Sequence, residues 1–409
     1  MTAGSSTSRR SFLKTTAATI AAPFVVSARA LGADAPPPSE RITMGFIGVG
    51  NRGRGLAGMG RRGDTQTLAV CDVNRARIEQ FASDKSITLY NDFRELLARD
   101  DIDAVGIGTP DHWHAIPVIE AAKAGKDIYC EKPLSLTIRE ARAMVNAVRR
   151  YGRVFQTGSQ QRSAREFRFA CEMVRSGRIG ELQSIEAYVG GPSGDCYLPP
   201  EPVPEGVDWD MWLGPAPWRP CHTRLLHGGF RGYRDYSGGG MTDWGAHHFD
   251  IAQWGMDMDH SGPVEIIPPD GGDVRWLTYV YASGVTLTHG GPGGKGVVFN
   301  GTEGKIEVNR GHLRTWPDSL MRTPTLPDEV HLYRSPGHTE DFIRAIRTRQ
   351  KPICDVEIGC RSVTVCHLGN IAYMLKRPLR WDPVKEELIG DPEASRWLDR
   401  PKREPWTLS

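Results

Sequence analysis

Lys132 follows Glu131 and precedes Pro133 at the end of a strand-like run, Asp127 to Cys130, and Asp243 and His247 stand four residues apart further along the chain. A lysine at the C-terminal edge of a strand sits where open α/β sheets bind ligands, and a desolvated ammonium there acidifies a nearby hydroxyl. An aspartate and a histidine at i and i+4 of a helix share one face, so the carboxylate can orient the ring while the ring takes a proton near neutral pH. Together the three imply removal of a hydroxyl proton beside a bound cofactor, which is dehydrogenase chemistry. Taken singly, each has a plainer reading: Lys132 in an ion pair with Glu131, and Asp243 with His247 as a helix-surface contact. His248 points about 100° away around the helix and takes a lesser role.

The cofactor half of that chemistry is written earlier in the chain. Gly48-Val49-Gly50-Asn51-Arg52-Gly53 follows a buried strand, Ile42 to Ile47, and opens a helix, so backbone N–H groups can cradle a pyrophosphate. Asp72 lies 24 residues after Gly48 at the end of the second strand, where a carboxylate accepts from ribose hydroxyls and repels a 2′-phosphate. NAD is therefore the expected cofactor, with NADP possible because Arg75 and Arg77 stand nearby.

These residues require a scaffold that delivers strand ends to one edge. Short apolar runs (Thr67 to Asp72, one near Ile87, Ala104 to Thr109, Asp127 to Glu131, Val154 to Thr157) alternate with helical patterns at Asn74 to Ala82, Phe93 to Ala98, Ala115 to Ala124 and Ile138 to Arg150. Such alternation predicts an α/β fold with an N-terminal doubly wound parallel Rossmann sheet. A helix at Glu166 to Ser176 leads out of it. Strand-like segments at Val274 to Tyr281, Val285 to His289, Gly296 to Phe299 and Lys305 to Val308, joined by glycine-rich turns, predict a second α/β domain with a large, mainly antiparallel open sheet. Helices are expected near the C-terminus at Asp341 to Arg347 and Val363 to Leu375. The divisions expected are a leader at 1–30, a linker at 31–40, a cofactor domain at 41–162, a substrate and oligomerisation domain at 163–382 and a tail at 383–409.

The pattern resembles the Gfo/Idh/MocA oxidoreductases, named for glucose-fructose oxidoreductase and inositol dehydrogenase. The resemblance rests on Gly48 to Gly53, on Thr109-Pro110-Asp111-His112-Trp113-His114, on Glu131-Lys132-Pro133, on Gln156-Thr157-Gly158 and on Gly238 to Asp250. It implies a catalytic set of Lys132, Asp243 and His247. It also implies cofactor contacts from Gly48, Gly50, Asn51, Arg52, Gly53, Asp72, Thr109, Pro110, His112, His114, Glu131 and Lys132. Members resembling glucose-fructose oxidoreductase carry tyrosine where His247 stands, so a tyrosine-based mechanism is disfavoured. Expected substrate contacts are Lys132, Gln160, Arg162, Tyr236, Asp243 and His247, with Arg231, Tyr233, Arg234 and Asp235 as further polar candidates or fold-supporting residues, and Trp113, Trp212, Trp218, Trp244 and Trp254 as stacking candidates most of which core packing would claim. The substrate implied is a sugar, sugar derivative or cyclitol, and the assembly a homodimer or homotetramer. Two rival readings are an NAD-assisted glycoside hydrolase and a non-catalytic exported binding protein.

Bulk properties narrow the remaining classes. Lysine plus arginine number 51 against 49 acids, which gives no reason to expect a nucleic-acid partner. Eight cysteines without a Cys-x-x-Cys pair read mostly as buried thiols, and no histidine or cysteine set has metal-ligand spacing, so no metal is expected. Ser8-Arg9-Arg10-Ser11-Phe12-Leu13-Lys14, then a short apolar run and Ala28-Arg29-Ala30, resemble a twin-arginine export signal. That predicts the twin-arginine machinery as a partner and a periplasmic or otherwise exported product without stable membrane insertion.

Overall fold

The computed structural model describes residues 36–290 and 295–408, so the expected twin-arginine leader at 1–30 lies outside the described residues. Six parallel strands form the first sheet: β1 (Ile42–Ile47), β2 (Thr65–Cys71), β3 (Thr88–Tyr90), β4 (Ala104–Ile107), β5 (Asp127–Cys130) and β6 (Phe155–Thr157). Their spatial order is β3-β2-β1-β4-β5-β6, so the chain reverses direction beside β1, and the crevice there faces the strand C-termini. Both faces are covered, and β4 and β5 are accordingly buried along their whole length.

The second sheet has nine strands in the order β13-β12-β11-β7-β10-β9-β8-β14-β15. They are β7 (Leu182–Ala187), β8 (Glu265–Ile267), β9 (Thr278–Val280), β10 (Thr286–His289), β11 (Val297–Gly301), β12 (Lys305–Asn309), β13 (His312–Trp316), β14 (Leu379–Asp382) and β15 (Glu387–Leu388). Every pairing is antiparallel except β7 with β10. Strands β10 and β12, and β7 from Ile185 on, alternate between buried and half-buried side chains, as a sheet packed on one face must.

Several expected boundaries shift for local reasons. The helix expected over 74–82 is one α-turn, Arg75–Ile78, capped by the Asn74 side chain, followed by a 3₁₀ turn, Glu79–Phe81. The last long helix starts at Val356, well before Val363, because the Asp355 side chain accepts from Glu357 N and caps it there. The strand expected over 274–281 narrows to β9.

That last helix, Val356–Leu375, is buried nearly all round. Val356, Cys360 and Val363 pack in the core of the first sheet, while Val365, Leu368, Ile371 and Ala372 pack in the core of the second. Arg142, on the helix Ile138–Arg150, reinforces the junction by pairing with Glu357 at 2.7 Å and Glu386 at 2.6 Å. The C-terminal residues return to the cofactor domain, where the Trp406 and Trp113 rings meet edge-on with centroids 4.7 Å apart. All eight cysteines are free, and all but Cys196 are buried. Among the described residues no helix is long and apolar enough to cross a membrane.

Candidate active site

The glycine turn after β1 is a tight cradle. Gly48 has φ +77°, and a Cβ there would lie 2.7 Å from Thr109 N; a Cβ on Gly53 would lie 1.7 Å from the Gly48 carbonyl oxygen. Glycine at both positions lets the backbone of the helix Asn51–Leu56 close on β1 and leaves its first N–H groups facing the crevice. Asp72 is buried at the end of β2, holds Asn74 N at 2.9 Å, and has the Arg77 guanidinium 3.6 Å away. Burial raises its pKa, and Arg77 offsets part of that rise. A small, mostly apolar pocket lined by Gly48, Asp72, Val73, Thr109, Trp113 and Trp212 continues from this turn. Gly48, Gly50, Gly53 and Asp72 therefore fit a dinucleotide.

The crevice opens into a cleft of about 610 Å³ that gathers Asn51, Arg52, Thr109, Pro110, Glu131, Lys132, Gln160, Asp243 and His247. Lys132 Nζ donates to Asp243 Oδ1 at 2.6 Å and to the Asp243 carbonyl at 2.8 Å. Burial pushes the Asp243 carboxyl up, but Lys132 and then Arg231, 3.3 Å away, outweigh it and hold the group below its usual value. Arg52 pairs with Glu131 at 2.8 Å, which leaves Lys132 to Asp243.

The expected Asp243–His247 couple is not formed. Instead of one continuous helix, a short helix Gly240–Asp243 meets the helix Gly245–Gly255 at Trp244, and His247 N bonds to the Trp244 carbonyl at 3.0 Å. This three-residue turn leaves the Asp243 carbonyl outside the helical ladder, where Lys132 takes it, and the Asp243 carboxylate turns the same way. His247 lines the cleft with its Nδ1 buried and without a hydrogen-bond partner. Burial, with Lys132 and Arg310 adding repulsion, holds its pKa well below the usual value, so the ring is neutral.

Four further expectations are corrected. Arg162 is 1% exposed and closed into ion pairs with Asp250 at 2.9 Å and Asp259 at 2.6 Å, so it supports the fold and does not reach the cleft. Tyr236 is fully buried, its ring packed against His112 and Trp212. His112 and His114 stand behind the cleft wall. His112 Nε2 meets the Trp212 carbonyl at 3.0 Å, and the two nitrogens of His114 meet the carbonyls of Pro133 (2.7 Å) and Thr109 (2.9 Å). His114 thus staples the Thr109 loop to the Lys132 turn without touching the cleft.

Some of the site has little sequence signal. Of the further polar and stacking candidates, Arg231, Trp212 and Trp244 line the cleft, while Tyr233, Arg234, Asp235, Trp113, Trp218 and Trp254 do not; Arg310, from the turn between β12 and β13, joins the lining with its guanidinium 4.9 Å from the Trp244 ring centroid. The roof comes from residues 190–236, whose short helices Trp209–Leu213 and Thr223–Leu226 build a small apolar cluster of their own. This roof is tied to the cofactor domain by Arg75 N to Gly206 O (2.8 Å), Asp208 N to Val73 O (2.9 Å) and the Arg77 guanidinium to Leu226 O (2.6 Å).

Comparison with known proteins adds what geometry leaves open. The chain is 28% identical over 253 residues to the uncharacterized oxidoreductase YrbE of Bacillus subtilis, covering 61% of this chain and 59% of that protein. It is 33% identical over 207 residues to an alpha-N-acetylgalactosaminidase of Shewanella oneidensis, covering 44% of this chain and 45% of that enzyme. The chain thus spans about half the length of these curated relatives. The crystal structure of the WlbA dehydrogenase from Bordetella pertussis with NADH and UDP-GlcNAcA superposes with TM-score 0.60 at 17% identity, over 84% of this chain and 99% of that one, a likeness of fold. Residues 42–159 match the oxidoreductase family's NAD-binding Rossmann fold, and residues 180–408 its C-terminal alpha/beta domain. With both domains matched in order, the chain belongs to the Gfo/Idh/MocA family of oxidoreductases.

Proposed function

We propose that this chain oxidises a secondary alcohol of a sugar, sugar derivative or cyclitol, using tightly held NAD. The observation that carries this reading is the Lys132–Asp243 pair beside a neutral His247, in a cleft continuous with the glycine turn. NAD bound there would accept the hydride from the alcohol carbon. Lys132, fixed by two bonds to Asp243, would polarise the hydroxyl oxygen, and His247 would take the hydroxyl proton, leaving a ketone. Gln160, Arg231 and the Trp244 face stand around the same cleft and are suited to hold a polyol. The buried Asp72 carboxylate favours NAD over NADP, because a 2′-phosphate would have to lie against it.

The likeness to an alpha-N-acetylgalactosaminidase favours a second reading, in which transient oxidation acidifies a neighbouring C–H, a glycosidic bond is eliminated, and the hydride returns. Export by the twin-arginine route, read from residues 8–14, suits either course, since a cofactor folded into the site would be recycled there.

The test is to purify the chain, identify any nucleotide released on denaturation by mass spectrometry, and assay sugars and aryl glycosides with Lys132→Ala and His247→Ala as controls. Each variant is expected to lose about 10²–10⁴ of turnover while keeping its nucleotide. NADH accumulation on a sugar supports the dehydrogenase; NAD-dependent glycoside cleavage without NADH supports the second reading. A protein that binds neither NAD nor NADP sinks both and leaves the non-catalytic one.

A further inference from the structure

Away from the cleft, a second cavity of about 320 Å³ opens between the last turns of the helix Val356–Leu375, the segment after the Lys132 turn, and the C-terminal residues. It shares no lining residue with the cleft. Three cations, Arg234, Lys376 and Arg400, line it, and no aspartate or glutamate does.

The three cations are not equivalent. Arg234 Nε lies 3.0 Å from Asp195 Oδ1, so its charge is already matched. Arg400 donates to the Arg234 carbonyl, a neutral acceptor, and among the described residues no carboxylate lies within ion-pair distance of it. Burial accordingly pulls the Arg400 guanidinium below its ordinary value, with only more distant acids, Asp235 and Glu140 first among them, opposing. A largely desolvated cation without a counter-ion is costly, and an anion arriving from solvent removes that cost. Lys376, exposed at the mouth and also outside any ion pair, would draw it in.

Acceptors in the same wall define the rest of the ligand. Asn370 spends its amide on the Gly238 carbonyl at 2.9 Å, and its Oδ1 is buried with no partner. His367 Nε2 bonds to the Ser135 carbonyl at 3.0 Å, an arrangement in which Nε2 donates and Nδ1 is left as an acceptor. A bare inorganic anion would satisfy the cations and leave both acceptors empty; hydroxyl groups would fill them. Trp397 adds an aromatic wall of the kind on which a sugar ring stacks.

We propose that this cavity is a binding site for a small polyhydroxylated anion, a sugar phosphate or a sugar acid, separate from the dinucleotide cleft. It stands next to the chemistry in the chain: Leu136 in its wall lies four residues after Lys132, and Gly238 five before Asp243.

Glucose 6-phosphate, glucuronate, inorganic phosphate and glucose would each be titrated calorimetrically into the full chain with saturating NAD present, so that the dinucleotide cradle cannot take the anion. Glucose 6-phosphate or glucuronate is expected to bind at least about tenfold more tightly than phosphate or glucose, and which of the two binds identifies a phosphoryl or a carboxyl ligand. Arg400→Gln should weaken that binding about tenfold, the equivalent of about 1.4 kcal/mol, with Arg400→Lys recovering most of it. Should Arg400→Gln fail to fold, exposed Lys376→Gln carries the same direction at a few-fold loss. The proposal is overturned if neither sugar anion binds at millimolar concentration, if NAD abolishes the binding, or if binding is indifferent to both substitutions.

Discussion

The floor and the roof of the cleft are built by opposite means. The floor consists of strand ends and helix starts, and its key residues are locked by packing: a side chain on Gly53 would overlap the Gly48 carbonyl, and Arg162 is sealed between Asp250 and Asp259. The roof, from residues 190–236, has two short helices, a small apolar cluster and a handful of hydrogen bonds to the floor. A floor of this kind fixes where the chemistry happens. A roof of this kind closes the cleft with residues that no regular sheet or long helix holds, so changes there should alter ligand exchange before they alter the fold.

Acid is the most severe probe of the floor. Burial first of all lowers His112, His248, His338 and His367 to about 4. Because these values lie below the unfolded value near 6.5, the stability they contribute is complete above about pH 6.5 and is lost as pH falls towards 4, at about 1.4 kcal/mol per pH unit for each ring. A urea midpoint that stays flat over that range would contradict the buried, neutral state of these rings. Next in size, Arg162→Met leaves Asp250 buried and unpaired, and unfolding should become easier by about 3–5 kcal/mol while the Michaelis constant of the folded fraction holds. A raised Michaelis constant at unchanged stability would return Arg162 to the substrate. Gly53→Ala should cost about 3 kcal/mol and abolish nucleotide retention, read by thermal unfolding and by nucleotide content. The smallest effect belongs to the roof. Arg77→Met removes the bond to Leu226 and the cation beside buried Asp72, so it should speed NAD dissociation about fivefold, about 1 kcal/mol, and lower the unfolding midpoint by a few degrees. If it unfolds the protein instead, roof and floor are one unit.

The same contrast explains what could be read from residues alone. The cofactor domain was legible because its signals are local: apolar runs of strand length, a glycine turn directly after β1, and Asp72 at the next strand end. Lys132 and His247 were legible as residues, but their partners were not. The spacing of Asp243 and His247 assumes an unbroken helix, and the turn at Trp244 gives Asp243 to Lys132 instead. Arg162 and Tyr236 carried polar groups near the right segment, yet whether such a group faces ligand or core depends on Asp250, Asp259 and Trp212, which are distant in sequence. Arg310 had no local signal at all, since only the folding of the second sheet brings the β12–β13 turn to the cleft. The roof lacks helix or strand periodicity, so nothing in 190–236 announced that it would cover the cleft.

One helix serving two cores has a mechanical meaning. Pulling the domains apart would strip Val356, Cys360 and Val363 from one interior or Val365, Leu368 and Ile371 from the other, and would break the Arg142 clamp on Glu357 and Glu386 as well. The two halves are therefore joined through shared interior as well as through the covalent chain, and a shear between them would cost both cores at once.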